Sequence, residues 1–180
     1  MAAENVNAIL LRRRRFSDTS LIVSWFSRER GKLKTVAKGA LRSKSSFAGK
    51  LDLFFQCELS ISWSQRSELH SLREVVLIEP FAAIRRNYLN TLAAGYFAEL
   101  VEELTEPEHP EPAIYELLVR AFSYLEGKPA TARAVHFFEH ELAKNLGLES
   151  NTPDHVADHL LHSLQRTRKT RTKLLTLLHA

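Results

Sequence analysis

Near Pro80 the hydrophobic pattern changes from a period of two to a period of three to four, so strands must give way to helices there. Upstream, apolar residues alternate. From Leu51 to Ser64 the odd positions Leu51, Leu53, Phe55, Cys57, Leu59, Ile61 and Trp63 are apolar, and the even ones are polar except Phe54. Successive side chains of a strand point to opposite faces, so this run predicts one long strand with a buried face. Leu21–Phe26 and Lys32–Ala37 flank the turn Ser27-Arg28-Glu29-Arg30-Gly31, where Gly31 can take a positive φ. Val6–Phe16 and Leu69–Glu79 complete a set of five, and the irregular phase over Ser71–Val76 predicts a bulge. Five long strands in about 80 residues suit a small closed barrel.

Downstream, Leu89, Leu92, Tyr96, Phe97, Leu100, Val101 and Leu104 form one helical stripe. The Pro-rich stretch Glu106–Pro112 breaks it, because proline removes an amide donor and clashes with the preceding turn. Ile114, Leu117, Leu118, Ala121, Phe122 and Leu125 form a second stripe, and a third helix is predicted from about Ala132 to Leu146. Thr152 as N-cap and Pro153 at the first position start another, and a last amphipathic segment covers Val156–Leu178 with a break near Thr167–Thr172. The expected class is therefore α+β: a five-stranded barrel over residues 1–80, then an all-helical domain over 81–180.

Charge follows the same division. The net +4 resolves into +6 over residues 1–80, −7 over 81–160 and +5 over 161–180. A basic barrel implies a polyanionic partner, and an acidic middle argues against nucleic acid coating the whole surface. A lone cysteine, Cys57, forms no internal disulfide and lies on the inward phase of its strand, which predicts a core residue. No apolar run reaches the ~18 residues that span a bilayer, and the polar opening reads as no signal peptide. The expectation is a soluble, cytoplasmic protein without membrane contact.

The cations define the candidate site. Arg12-Arg13-Arg14-Arg15 ends the first strand, and alternation places two guanidinium groups on each side. Lys32, Lys34 and Lys38 share one face of the third strand, and the loop that follows adds Arg42, Lys44 and Lys50 with Phe47. Such groups neutralise phosphates with counterion release, and aromatic rings offer stacking faces to unpaired bases. Phe47, in the basic loop, and Phe54, on the polar strand face, are the stacking candidates. The competing reading has Phe47 plugging the barrel end. Arg166, Arg168, Lys169, Arg171 and Lys173 form a second basic track, for DNA or an acidic partner tail, with a plain solvated helix as the alternative.

The order of these residues resembles a known family. Leu10–Val23 is similar to the opening strand pair of the RecO recombination mediators, Gly31-Lys32-Leu33-Lys34-Thr35-Val36-Ala37-Lys38-Gly39-Ala40 to their most recognisable stretch, and Leu72–Phe81 to their barrel exit. The resemblance implies an OB-fold barrel before a helical domain, binding single- and double-stranded DNA at the nucleoid. It implies strand annealing in recombinational DNA repair, with single-strand binding protein and RecR as partners and RecA loading as the outcome, and no enzymatic activity. DNA contact carries over to Lys32, Lys34, Lys38, Arg42 and Lys44, with Arg13 and Arg15 as additions, and Lys50 joins the candidate DNA-binding set as a cation of the same loop. Many members carry a four-cysteine zinc site in the C-terminal half. No cysteine follows Cys57, so that site is excluded here, and the helical half looks trimmed.

Other constellations point to no chemistry. His155, His159 and His162, and separately His136 and His140, have helical spacing, but neither pair places a glutamate beside its first histidine, so no metal and no cofactor are expected. The Glu102, Glu103, Glu106, Glu108 and Glu111 cluster reads as a solvated helix end. Nucleophile elbows, phosphate-binding loops and dinucleotide fingerprints are absent from the sequence. The rival readings are a protein–protein adaptor with a structural barrel and an RNA-binding OB protein.

Overall fold

The computed structural model describes residues 4–148 and 153–179, with 153–155 as backbone only. Five strands, β1 (Glu4–Arg15), β2 (Leu21–Ser27), β3 (Gly31–Ala37), β4 (Gln56–Ser62) and β5 (Leu69–Glu79), precede a 3-10 turn over Ala82–Arg86. Five helices follow: α1 (Tyr88–Leu104), α2 (Pro112–Gly127), α3 (Ala132–Asn145), α4 (Pro153–Leu161) and α5 (Gln165–Leu178). The α+β class expected from the change of period is the class observed. The expected cap at Thr152 lies outside the described residues. Two compact units divide the chain: one takes everything up to Phe81 together with Thr105–Tyr115, the other Ala82–Leu104 and the residues from Glu116 onward. The Pro-rich segment after α1 thus belongs with the strands.

The strands close into a barrel in the order β1-β2-β3-β5-β4. Closure comes from a short parallel pairing of Lys34–Val36 with Leu69–Ser71, and the remaining pairs are antiparallel. Val6, Ala8, Leu10, Val23, Trp25, Leu33, Leu59 and Ile61 fill the interior. Trp25 is fully buried and its indole Nε1 donates to Thr35 Oγ1 at 2.9 Å, which satisfies the one polar atom that the ring carries inward. The bulge expected in β5 falls between Leu72 and Glu74, opposite Ile61 and Ser60.

One strand is shorter than the alternation predicts. Residues 51–55 are irregular, with a turn at 53–54, and β4 begins only at Gln56. Phe54 has φ 71°, and its amide donates to Leu10 O while Phe55 O accepts from the Leu10 amide. That reversal of phase buries Phe54 and exposes Leu53.

In the helical unit, Tyr96, Phe97, Leu100 and Val101 bury the predicted stripe of α1, and Phe97 stacks on Phe138 of α3 at 4.1 Å between ring centres. Asn90 donates to Leu125 O and Lys128 O and accepts from the Ala130 amide, which closes the α2–α3 corner. The break in the last segment lies at 162–164, not near Thr167–Thr172. Thr170, Thr172 and Thr176 lie within the helix and donate their hydroxyls to carbonyls one turn back, which satisfies them without interrupting it.

Candidate nucleic-acid interface

The bulge in β1 decides which arginines face which way. Ala8 and Leu10 point into the barrel, Leu11 is passed over, and pairing resumes with Arg12 opposite Ser24. Directly opposed residues of an antiparallel pair share a face. Arg13 and Arg15, opposite Val23 and Leu21, therefore take the inward phase, and Arg12 and Arg14 take the outward one. Arg13 is held there, donating to Leu51 O at 2.6 Å and pairing with Asp52 at 3.1 Å. Arg15 pairs with Asp18 at 3.3 Å. All four side chains are exposed, but Arg13 and Arg15 are engaged at the barrel rim by Leu51 O, Asp52 and Asp18, whereas among the described residues no carboxylate pairs with Arg12 or Arg14. The adjacent apolar pair Leu10-Leu11, which interrupts the alternation, is the sequence signal for this shift.

On the same outward face Lys34 lies opposite Ser24, and Val36 opposite Ile22. Arg12–Ser24–Lys34 therefore form one row across three strands, and Arg14–Ile22–Val36 the next. At two strand spacings the cation columns of β1 and β3 stand about 10 Å apart. The β2 column between them, Phe26, Ser24 and Ile22, is buried. Lys38 extends the β3 column beyond the strand end. Arg12, Arg14, Lys34, Lys38, Arg42 and Lys44 are all exposed, Lys32 and Lys50 half-buried. Among the described residues no carboxylate pairs with any of those six exposed cations.

The loop that carries Arg42 and Lys44 is built from successive tight turns. Arg42 N bonds Gly39 O, Ser45 N bonds Arg42 O, Ala48 N bonds Ser45 O and Lys50 N bonds Phe47 O. The Leu41 amide ties it to Thr19 O in the β1–β2 turn. Phe47 is only 7% exposed and packs with Leu51 in the barrel core, and Phe54 is only 2% exposed. Neither ring has a face left for a base, because each is spent on apolar burial, so neither of the two expected stacking residues can stack on one. Phe47 plugs the barrel instead.

At the other end of β3, the segment from Thr105 lies against the barrel. The Glu108 amide donates to Lys32 O at 2.8 Å, Pro107 bridges to Lys32, and buried His70 reaches Glu108 Oε1 at 2.9 Å. Gly31 has φ 67°, and a Cβ there would sit 1.8 Å from His109 O. Glycine is required twice over.

The second basic track is dispersed. Arg166 pairs with Glu99, Arg168 with Asp158, and Arg171 with buried Glu139 at 2.7 Å, where Tyr96 also donates its hydroxyl. Burial above all, with the Glu139 charge next, raises the Tyr96 phenol far above its ordinary range. Lys173 lies 5.8 Å from the Tyr88 ring centre, and Lys169 is exposed. Arg171 is a structural ion pair. The described residues contain no group of three His, Cys, Asp or Glu that could hold a metal. His136 faces Glu139 and Arg171, His140, His159 and His162 are exposed, and the His155 side chain lies outside the described residues. No described helix is long and apolar enough to cross a membrane.

A groove that the sequence did not signal opens in the helical unit. Phe97, Leu117, Phe137 and Phe138 line a volume of about 470 Å³, with Arg120 and Arg133 beside them.

Comparison with known proteins agrees with this geometry over both units. Residues 1–81 match a family model described as Recombination protein O N terminal, and residues 85–159 match Recombination protein O C terminal. Curated relatives named DNA repair protein RecO include those of Syntrophus aciditrophicus, 32% identical over 77% of this chain and 53% of its own, and Salinibacter ruber, 35% identical over 78% and 55%. That of Symbiobacterium thermophilum is 36% identical over 72% of this chain and 50% of its own. The chain spans about half the length of the curated relatives it matches. With a closed five-stranded barrel under the first match and helices under the second, the chain belongs to the RecO family.

Proposed function

We propose that this chain is a DNA-binding, strand-annealing mediator of recombinational DNA repair that makes and breaks no covalent bonds. The observation that carries the reading is the set of exposed cations, Arg12, Arg14, Lys34, Lys38, Arg42 and Lys44, on the outer barrel face and its adjoining loop, with which no carboxylate pairs among the described residues. Guanidinium and ammonium groups without a carboxylate partner bind phosphate at no cost of breaking an internal pair, and each contact releases counterions. Contacts of this kind carry no base information, which suits an activity that must act on any sequence. Two cation columns about 10 Å apart screen the repulsion between two backbones brought side by side. The family membership and the names of the relatives support the same assignment.

In this reading the protein acts on single strands coated by single-strand binding protein, together with RecR, and promotes RecA loading. The groove beside Arg120 and Arg133 has the chemistry to take a short acidic segment with an apolar side chain, and we assign the single-strand-binding-protein contact to it. The same groove is what an adaptor with a purely structural barrel would use.

Annealing of complementary oligonucleotides tests the proposal. The protein accelerates annealing of bare and of protein-coated strands, and Arg120→Glu/Arg133→Glu abolishes the effect only on coated ones. No acceleration of bare strands at low salt contradicts the proposal and leaves the adaptor reading.

A further inference from the structure

Glu108 carries a charge that the barrel holds in place with some care. Its carboxylate is 48% exposed, yet the imidazole that grips it, His70, is only 3% exposed. His70 Nδ1 accepts from the Ser64 amide at 3.1 Å, so the ring proton is on Nε2 and is donated to Glu108 Oε1 at 2.9 Å. The backbone is fixed as well, by the Glu108 amide on Lys32 O and by the contact of His109 O with Gly31, where no side chain fits. Lys32, Lys34, Glu68 and Glu108 line one small recess at this end of β3. A half-exposed carboxylate, held by a buried ring, therefore stands where the lysine column ends.

We propose that Glu108, positioned by His70, sets the end of the DNA track. Its negative charge turns phosphate away from the Lys32 end of β3, so a bound strand runs from Lys34 toward Lys38 and the Arg42–Lys44 loop. A backbone bond alone would keep the segment on the barrel. What the buried imidazole adds is a fixed direction for the charge, into the recess and toward solvent where a strand would pass. This inference rests on the barrel being the DNA-binding surface.

Binding of a fluorescein-labelled oligothymidine, measured by anisotropy across a salt series, tests it with five proteins. Glu108→Gln keeps the shape and removes the charge. It binds about 2- to 5-fold tighter at low salt, the range for one exposed charge contact. Its slope of log K against log [salt] is steeper by about 0.7, one added single-strand phosphate. Glu108→Asp keeps the charge but shortens its reach to His70, so it tightens binding less than Glu108→Gln. Glu141→Gln, a charge change in α3, leaves binding unaltered. Equal tightening by Glu108→Asp or Glu141→Gln, or none by Glu108→Gln, overturns the role of Glu108. Lys34→Ala/Lys38→Ala separates the two claims: if it weakens binding while Glu108→Gln changes nothing, only this inference falls, and if the unaltered chain does not bind, the DNA-binding reading falls with it.

Discussion

Single residues hold two parts of this barrel to one solution. Gly31 ends the β2–β3 turn in the left-handed region and lies under His109 O. Gly31→Ala meets both objections, and the backbone strain alone costs about 1–2 kcal/mol. Both tryptophans, Trp25 and Trp63, lie in the barrel unit, so their fluorescence reports its unfolding in urea. The midpoint falls for Gly31→Ala, and an unchanged midpoint contradicts the placement of the segment on Gly31. Cys57 gives a second test. Burial pushes its thiol from the usual 9.0 up to about 12. The folded chain then keeps a proton that the unfolded chain sheds, so this group leaves stability unchanged below pH 9 and erodes it as pH rises from 9 toward 12. A thiol reagent at pH 8 labels Cys57 only after denaturation, and rapid labelling of the folded protein contradicts its burial.

At the scale of elements, period and punctuation made most of the fold legible. The ends of β5 coincide with those read from Leu69 and Glu79, and Gly31 marked its turn, because alternation and glycine report backbone geometry directly. Two local reversals were hidden. The alternation over Leu51–Phe55 continues into β4 on paper, but Phe54 takes a positive φ and swaps faces with Leu53. In β1 the bulge at Leu11 exchanges the faces of the arginines. The first follows from pairing of Phe54 and Phe55 with distant Leu10, which a one-dimensional pattern does not contain, and the second left only the adjacent apolar pair Leu10-Leu11 as its mark. Thr170 and Thr172 of α5 looked like a break and are not, and each donates its hydroxyl to a carbonyl one turn back within the continuous helix. The β1 bulge has a direct consequence for binding. Arg12→Ala/Arg14→Ala flattens the salt slope for single-stranded DNA by about 1.4, two phosphate contacts. Arg13→Ala/Arg15→Ala leaves the slope nearly unchanged and lowers the urea midpoint, because Arg13 anchors Leu51 and Asp52. The opposite ranking contradicts the face assignment.

For the molecule as a whole, charge and fold divide at the same place. The cations of the barrel without partners face solvent, whereas Arg166, Arg168 and Arg171 near the C-terminus are paired with carboxylates of the helical unit. Much of the +5 of that last stretch is thus answered internally, although Lys169 stays exposed, and the largest set of exposed cations without a carboxylate partner among the described residues is on the barrel. The central claim is that this charge holds DNA by its phosphates. The salt dependence of single-strand binding, for the unaltered chain and for Lys34→Ala/Lys38→Ala/Arg42→Ala/Lys44→Ala, measures it most directly. At about 0.7 per phosphate the four substitutions flatten the slope by nearly 3, equally for thymine-rich and mixed sequences. A slope and affinity that survive all four contradict the account.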